Sequence, residues 1–245
     1  MSKETVLILG ARSDIAMSTA HYFAKAGYDM QLAARKVNSL DQYKSDFEQK
    51  YQINVTLHEF DAIKIDSHKH FANSLPQLPN VIVCAVGVMG EQKKNEQDIE
   101  LASNIIRSNF EGPASIFLIF ASLFELRGSG TLVGISSVAG ERGRAKNYIY
   151  GSSKAGFTVF LSGLRNRLAM SGVHVITVLP GFVATKMTNN IELPKKITAQ
   201  PDQVGEAIFN AVKKKINIVY VSPIWRIIMM IIRNIPEQIF KKMKL

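Results

Sequence analysis

The sequence predicts one α/β domain, with a doubly wound and mostly parallel sheet of about seven strands. Short apolar runs alternate with longer helical stretches along nearly all of the 245 residues. Strict alternation of this kind is typical of parallel sheets covered by helices on both faces. No linker rich in Gly, Pro or Ser interrupts the pattern, and the sequence contains no internal repeat. Residues 1–222 are therefore predicted to form a single domain, which a chain of this length can supply with a well-buried core.

Seven apolar runs supply the predicted strands. They are Thr5–Leu9, Met30–Ala33, Val55–Phe60, Val81–Ala85, Thr131–Ile135, Val173–Leu179 and Ile218–Val221. Helical patterns fit between these runs, and the clearest are Ile15 to Ala26, Asn104 to Phe124 and the stretch after Tyr150. Gly27 ends the first of these helices, and Pro76 and Pro79 close another helix before the fourth strand.

The first predicted strand leads into the turn Gly10-Ala11-Arg12-Ser13-Asp14-Ile15-Ala16. A strand, a glycine turn and a helix N-terminus together can hold a dinucleotide pyrophosphate on free backbone N–H groups. The glycine pattern is imperfect, because Asp14 stands where a second glycine is common and Ala16 where a third would be. We expect Asp14 to be a helix-capping residue that faces away from the phosphates. Alone, this turn does not distinguish a cofactor site from an ordinary strand–helix connection.

A proton donor and a cation occur together at Tyr150 and Lys154. Residues four apart share one face of a helix, so the phenol and the ammonium point into the same space. A free tyrosine, with a pKa of about 10, is a poor acid–base group near neutrality, and a nearby cation lowers that pKa. Ser137, thirteen residues upstream, adds a hydroxyl that can hold a carbonyl oxygen.

Two further motifs complete a pattern that resembles the short-chain dehydrogenase/reductase family over nearly the whole chain. Asn109 lies in a predicted helix with Gly112 three residues later, and Pro180-Gly181-Phe182-Val183-Ala184-Thr185 follows the sixth strand. The resemblance implies an NAD(P)-dependent oxidoreductase that interconverts a ketone and a secondary alcohol. The catalytic tetrad that it implies is Asn109, Ser137, Tyr150 and Lys154. The segment that it implies for contact with the nicotinamide amide contains Pro180, Gly181, Val183 and Thr185.

The same resemblance assigns a role to each side chain. Ser137 and Tyr150 would hydrogen-bond the carbonyl oxygen, and Tyr150 would give up the proton. Lys154 would lower the pKa of Tyr150 and bind the nicotinamide ribose, while Asn109 would hold a water that connects Lys154 to solvent. Residues Met187 to Leu193 are expected to form a mobile lid over the substrate, with an ordinary surface loop as the alternative.

The end of the second strand predicts the cofactor preference. NAD-selective sites usually present an acid there, about 20 residues after the glycine turn, but this strand ends Ala33-Ala34-Arg35-Lys36. Arg35 can receive a 2′-phosphate, and Arg12 can approach it from the glycine turn. NADP(H) is therefore favoured and NAD(H) stays open, as does the alternative that Arg35 and Lys36 are solvated loop charges.

Two more positions enter the predicted cofactor site. Asp61 matches the family position that binds the adenine amino group, and Gly87 lets the backbone approach the cofactor after the fourth strand. There Cys84-Ala85-Val86-Gly87 replaces the Asn-Asn-Ala-Gly of many relatives. The full set of predicted cofactor contacts is Gly10, Arg12, Ser13, Asp14, Ile15, Arg35, Asp61, Ala62, Gly87, Tyr150, Lys154, Pro180, Gly181, Val183 and Thr185.

Three segments resemble one branch of the family, the decaprenylphosphoryl 2-keto-ribose reductases. They are Ser136–Arg142, Tyr150–Gly156 and the C-terminal Trp225–Lys241. This resemblance implies a polyprenyl-phosphate-linked sugar ketone as substrate, a place in cell-envelope polysaccharide precursor synthesis, and a flavin-dependent sugar oxidase as partner. A homodimer or homotetramer is expected. The alternatives are a reductase of acyl or other lipid-like ketones and a non-catalytic dinucleotide-binding sensor, which would need no proton donor.

Composition excludes several other classes. The net charge of +10 comes without a nucleic-acid recognition motif, so no nucleic-acid partner is expected. The N-terminus lacks a signal-peptide pattern, no apolar run approaches the roughly 18 residues of a membrane span, and a single Cys84 fits the cytoplasm. The segment His68-Lys69-His70 is expected to be a solvated helix face, so no metal site is predicted.

Residues 223–245 are predicted to be a basic amphipathic extension packed on the same domain. From Lys213 to Leu245 there are eight Lys or Arg residues and one acid, Glu237. Pro223 and Pro236 can each begin a short helix.

In the first of these helices, Arg226 and Arg233 share one face, and Ile224, Ile228 and Ile231 are expected on the other. In the second helix, apolar residues alternate with lysines; they are Ile239, Phe240 and Met243 among Lys241, Lys242 and Lys244. Such helices can lie peripherally on the inner face of the cytoplasmic membrane. Alternatively, they cap the substrate pocket or pack against another subunit.

Overall fold

A parallel sheet of seven strands forms the centre of the computed structural model, which describes residues 3–189 and 192–243. The strands are β1 (Thr5–Leu9), β2 (Asp29–Ala34), β3 (Val55–Glu59), β4 (Val81–Cys84), β5 (Gly130–Ile135), β6 (Val173–Leu179), the short β7 (Phe182–Val183) and β8 (Thr198–Ala199), and β9 (Ile218–Tyr220). The sheet order is β3-β2-β1-β4-β5-β6-β9, and β7 pairs with β8 separately. The predicted fold class is confirmed, and each predicted strand is present with bounds that differ by at most one residue.

The order of the strands along the sheet reverses between β1 and β4, and this reversal positions the predicted cofactor site. Leu9 at the end of β1 pairs with Ala33 of β2 on one side and with Cys84 of β4 on the other. In such sheets the connections leave β1 and β4 towards opposite faces, so a crevice opens at the carboxyl ends of these two strands. The glycine turn and Gly87 both lie at this crevice.

Helices cover both faces of the sheet. They are α1 (Asp14–Lys25), α2 (Asp41–Tyr51), α3 (His68–Ser74), α4 (Gln92–Gln97), α5 (Ile99–Ile106), α6 (Gly112–Arg127), α7 (Tyr148–Leu168), α8 (Pro201–Lys214), α9 (Pro223–Asn234) and α10 (Glu237–Phe240). One apolar core contains Phe23 and Ile208 from α1 and α8, and the other contains Phe117 and Phe157 from α6 and α7. Within the described ranges, no helix combines the length and the apolar character that a membrane span requires.

The helix predicted from Asn104 to Phe124 is longer and interrupted. Helix α5 continues into α6 through a π turn, Arg107–Glu111, which contains Asn109. Gly112 follows the turn, and a Cβ atom at this position would overlap the carbonyl of Ala62. The absent side chain therefore lets the helix approach the loop after β3, and the π turn rotates Asn109 towards the sheet, as such turns often do at functional sites.

The prediction of a solvated His68 was wrong, although His70 is exposed as expected. His68 is buried, and its ring stacks on Phe60 with ring centroids 5.2 Å apart. Its Nδ1 lies 3.1 Å from Ser115 Oγ. His68 is the first residue of α3 and lies beneath the loop after β3. Its neighbours in sequence are exposed, so the local pattern does not indicate that His68 is buried.

Candidate active site

The carboxyl ends of β1 and β4 border a cleft of about 280 Å³. The predicted cofactor contacts that line it are Gly10, Arg12, Ser13, Arg35, Asp61, Ala62 and Gly87. Gly10 has φ +79°, and a Cβ atom there would lie 3.0 Å from the backbone of Ala85 and Val86, so only glycine fits without strain. A concave wall of backbone with arginines at its edge suits the adenosine and phosphate half of a dinucleotide.

Sequence reasoning missed other residues of this cleft, namely Ala34, Phe60, Ile63, Ala85, Val86, Val88 and Ser108. Most of them directly follow or end a predicted strand, so the general rule that ligands bind outside the carboxyl ends of strands could have found them. Ser108 could not have been found in that way, because it reaches the cleft through the π turn.

The two predicted contacts Asp14 and Ile15 do not line this cleft, and the capping role predicted for Asp14 was wrong. Ser13 is the N-cap of α1, and its Oγ accepts a hydrogen bond from the N–H of Ala16 at 3.0 Å. Asp14 is the first helical residue, and its carboxylate accepts from the N–H of Lys186 at 2.8 Å. It therefore ties the glycine turn to the loop after β7, whereas Ile15 packs against the core.

Arg35 and Arg12 are exposed at the rim of the cleft. The loop that carries Arg35 is ordered by Glu59 of β3, whose carboxylate accepts from the N–H groups of Lys36 and Val37 at 3.0 and 2.9 Å. Arg12 and Arg35 are the basic side chains that line the cleft, whose lining also includes Asp61.

Tyr150, Ser137 and Lys154 meet where α7 begins beside the end of β5. The Ser137 hydroxyl lies beside the Tyr150 phenol, and it accepts a hydrogen bond from the N–H of Ala139 at 3.1 Å. The Lys154 ammonium donates to the carbonyl of Ile135 at 2.9 Å and lies 5.9 Å from the centroid of the Tyr150 ring. The structure therefore brings together a phenol, a hydroxyl and an ammonium at the positions that the sequence indicated.

The expected effect of Lys154 on Tyr150 is not seen. Burial raises the pKa of Tyr150 to about 12, and the neighbouring Ser137 hydroxyl lowers it in part. The same burial lowers the pKa of Lys154 to about 8. Removal from water disfavours the charged forms of both groups, so burial raises the pKa of the phenol and lowers the pKa of the ammonium.

Asn109 is bonded on both sides by backbone groups. Its side chain is buried and donates to the carbonyls of Val88 at 2.7 Å and Ile105 at 2.9 Å, while its Oδ1 accepts from the N–H of Val88 at 3.1 Å. These bonds give Asn109 a positioning role, and its role in holding a water stays a prediction. A Cβ atom on Gly87 would lie 2.8 Å from Asn109 Oδ1 and 3.3 Å from Lys154 Nζ, so Asn109 fixes the loop beside Lys154.

The segment predicted to contact nicotinamide lies on the other side of Ser137. The carbonyl of Pro180 accepts from the N–H of Val138 at 3.1 Å and from the Ser137 hydroxyl at 3.4 Å. Val183 is buried in β7, and Thr185 begins a helical turn in which its N–H donates to Thr188 Oγ1 at 3.1 Å. Gly181 lies directly beneath the indole of Trp225.

A second cavity of about 550 Å³ lies beyond Thr185, lined by Ala184, Thr188, Asn189, Leu193, Lys195, Thr198 and Gln200. The predicted lid, Met187 to Leu193, borders this cavity only in part. Asn190 and Ile191 lie outside the described residues, so the lid stays a prediction.

The lowered pKa of Lys154 predicts how stability depends on pH. The unfolded chain holds this proton up to a pKa of 10.5, whereas the folded chain loses it near 8, so the free energy of unfolding should rise with pH between these values. We expect Lys154→Met to remove a penalty of roughly 3 kcal/mol at pH 7. Relative to this variant, the free energy of unfolding of the wild type should rise by roughly 1 to 2 kcal/mol between pH 8 and 9.5.

Urea denaturation of both proteins at these pH values measures the difference. The contributions of other titrating groups to the pH dependence are common to both proteins and cancel in the difference. Tyr150, whose pKa is raised from 10.0, lowers the free energy of unfolding with rising pH only above about pH 10. If the free energy of unfolding changed with pH equally in the wild type and the variant, burial would not destabilise the Lys154 ammonium.

Comparisons with known proteins agree with the site. Residues 4–196 match the short chain dehydrogenase family model. An uncharacterized oxidoreductase of Mycobacterium tuberculosis is 33% identical over 241 residues, which cover 97% of this chain and 96% of the relative. An NADP-dependent 3-hydroxy acid dehydrogenase of Schizosaccharomyces pombe is 26% identical, over 88% of this chain and 89% of the relative.

The fold is also found among solved structures. A short-chain dehydrogenase from Sphingobium yanoikuyae, in complex with NADPH, superposes with a TM-score of 0.79 at 21% identity and covers 96% of this chain and 97% of its own. The family match over most of the chain, and the relative that is 33% identical along nearly its whole length, identify the chain. It belongs to the short-chain dehydrogenase/reductase family of oxidoreductases.

Proposed function

We propose that this chain is an NADP(H)-dependent reductase that converts a ketone to a secondary alcohol. The observation that carries the proposal is that the Tyr150 phenol lies beside the Ser137 hydroxyl, with the ammonium of the buried Lys154 5.9 Å from the centroid of the Tyr150 ring. A dinucleotide sensor would have no use for a proton donor in this position, so the non-catalytic alternative is disfavoured.

NADPH, when bound, would supply the hydride that the carbonyl carbon receives. The protein must then stabilise the negative charge that develops on the carbonyl oxygen, and the hydroxyls of Ser137 and Tyr150 are the donors available for it. With a pKa of about 12, Tyr150 is fully protonated at neutrality and can give its proton to the more basic alkoxide. The Lys154 ammonium then lies close to the phenolate that remains.

The cofactor proposal rests on the rim of the 280 Å³ cleft. Arg35 and Arg12 present positive charge there. Two acids lie near them: Glu59 is bonded to the N–H groups of Lys36 and Val37, and Asp61, which also lines the cleft, accepts from the N–H of Ile63 at 3.3 Å. Arginine pairs well with phosphate because its guanidinium makes charge-assisted and often bidentate hydrogen bonds. The NADPH complex of the Sphingobium structure and the NADP dependence of the Schizosaccharomyces relative support NADP(H) for this chain.

We expect Arg35→Ala to weaken NADPH binding by about ten- to a hundredfold and to leave NADH binding nearly unchanged. A lost charge-assisted hydrogen bond is worth roughly 1.5–3 kcal/mol, and only NADPH carries the 2′-phosphate that Arg35 would meet. Titration of cofactor fluorescence gives both dissociation constants, and the neighbouring exposed Lys36→Ala serves as control. Equal losses for both cofactors, or a wild type that prefers NADH, would refute the assignment.

For the substrate we propose the 2-keto group of a polyprenyl-phosphate-linked pentose. The support is the C-terminal segment that resembles the decaprenylphosphoryl 2-keto-ribose reductases. In the structure, α9 belongs to this C-terminal segment. Its Trp225 covers the nicotinamide segment, residues 180–185, which is predicted to contact the nicotinamide amide. Such a ketone would arise from oxidation of a lipid-linked sugar by a flavin-dependent oxidase.

A 3-oxo acid, as one of the acyl ketones, is the second candidate. The activity named for the Schizosaccharomyces relative, NADP-dependent dehydrogenation of 3-hydroxy acids, favours it. NADPH oxidation assays with both classes of ketone separate the two candidates, and Tyr150→Phe defines the background. Turnover only of the acyl ketone would overturn the sugar proposal, and turnover of neither would leave both wrong.

A further inference from the structure

We propose that helices α9 and α10 dock on an anionic lipid surface, with the outer face of α9 in the membrane interface. This inference goes beyond the reductase function and does not depend on it. The outer face consists of Ile224, Ile227, Met230 and Ile231, whose exposed fractions are 42, 53, 53 and 59%. Four large apolar side chains on one exposed helix face are unusual unless that face meets a partner or a membrane.

The opposite face of α9 is already occupied. Trp225 and Met229 are buried in a small core with Val138 and Leu179, and Ile228 and Ile232 are partly buried there. The predicted apolar face of Ile224, Ile228 and Ile231 is therefore divided, because Ile224 and Ile231 are exposed whereas Ile228 is partly buried in this core. Because Trp225 also donates to the carbonyl of Ile197 at 3.1 Å, α9 cannot turn its outer face inward without losing this core.

Arg142 holds the end of α9 in place. Its guanidinium donates to the carbonyls of Ile232, Arg233 and Ile235 at 2.7–3.1 Å and lies 3.9 Å from the ring centroid of Phe240. It also pairs with Glu237, the one acid after residue 212, at 2.8 Å. The acid of the C-terminal segment is thus bonded within the protein, which leaves the exposed basic residues to set the charge of this surface.

The charge selects a membrane over a second copy of the chain. Arg226, Lys241 and Lys242 are exposed along α9 and α10, and Ile239 and Met243 among them are 57 and 40% exposed. A two-fold contact between two such surfaces would bring cations against cations, which costs free energy. Anionic lipid headgroups instead neutralise the basic residues while the isoleucines enter the boundary of the acyl chains.

The length of the helix also fits this arrangement. Twelve residues of α9 extend about 18 Å, which is too short to span a bilayer but enough to lie in its interface. In that position the nicotinamide segment, which α9 covers, would lie directly behind the membrane surface. A lipid-borne ketone could then reach the site without leaving the bilayer.

Vesicle flotation of the full-length wild-type protein tests the inference. We expect binding to vesicles with about 30% phosphatidylglycerol in phosphatidylcholine, and loss of binding at about 0.5 M salt or on pure phosphatidylcholine. The triple variant Arg226→Gln, Lys241→Gln, Lys242→Gln should lose about fivefold in partitioning for each charge removed. The double variant Ile227→Ser, Ile231→Ser should lose at least tenfold.

The matched control is Leu126→Ser, Met170→Ser, which removes apolar side chains that are 87 and 97% exposed near the amino ends of β5 and β6, away from α9. It should bind vesicles like the wild type. NADPH binding and thermal melting of each variant establish that it is folded. Absence of vesicle binding by the wild type would overturn the inference, and so would an equal loss of binding in the control. The inference would also be wrong if changes to the outer face abolished a dimer of the protein but left vesicle binding intact.

Discussion

Tyr150→Phe should reduce turnover of the ketone by a factor of about 10² to 10⁴ and leave NADPH binding within about twofold of the wild type. The substitution removes the proton that the alkoxide must receive and one of the two donors to the carbonyl oxygen, but it keeps the ring. Steady-state rates of NADPH oxidation and a fluorescence titration of NADPH measure the two quantities separately.

Tyr148→Phe is the control, because Tyr148 begins the same helix and is 44% exposed. It should keep nearly the full turnover. A Tyr150→Phe enzyme with near-wild-type turnover would exclude Tyr150 as the proton donor, and equal losses in the two variants would indicate a general disturbance of α7. Neither result would affect the family assignment, which rests on the whole chain.

Local patterns were enough to predict the sheet. Each strand of a parallel sheet is a continuous apolar run, and its neighbours in sequence are helices with visible stop signals such as Gly27 and Pro76. The positions of Ser137, Tyr150 and Lys154 were also predictable, because a helix places residues four apart on one face and the family resemblance supplied the serine. These are relations within a short stretch of chain or within a known pattern.

The wrong predictions concern groups whose environment is set by distant residues. Asp14 could be assigned a cap from its position, but its bond to Lys186 spans 172 residues. Burial of His68 depends on Phe60 and Ser115, and the pKa of Tyr150 depends on how deeply the fold buries it. Charge, spacing and residue type do not report burial, so these features needed the structure.

Gly181→Ala is expected to cause the largest loss of stability among single substitutions in the nicotinamide segment. A Cβ atom at this position would overlap the indole ring of Trp225, and the ring is fixed from the other side. Its Nε1 donates to Ile197, and its face contacts the edge of Phe182 with ring centroids 5.3 Å apart. Overpacking and the lost hydrogen bond of Trp225 together should lower the free energy of unfolding by about 3 kcal/mol.

Trp225 is the one tryptophan of the chain, so its fluorescence reports the displacement directly. We expect the emission of Gly181→Ala to shift to longer wavelength as the ring moves from a site that is 3% exposed towards water. The melting temperature should fall at the same time. Turnover should fall as well, because the displaced ring lies against the segment that adjoins Ser137.

A double-mutant cycle distinguishes this overlap from a general intolerance of alanine. If the indole is the obstacle, Trp225→Leu should make room, so Gly181→Ala should cost much less in the Trp225→Leu background than in the wild type. Gly163→Ala is the control, since its Cβ atom would meet no atom within 4 Å and alanine is favoured inside α7 by about 0.5–1 kcal/mol. Unchanged emission and melting temperature in Gly181→Ala would show that α9 is free to move away from the segment, and the expected losses of stability and turnover would then be wrong.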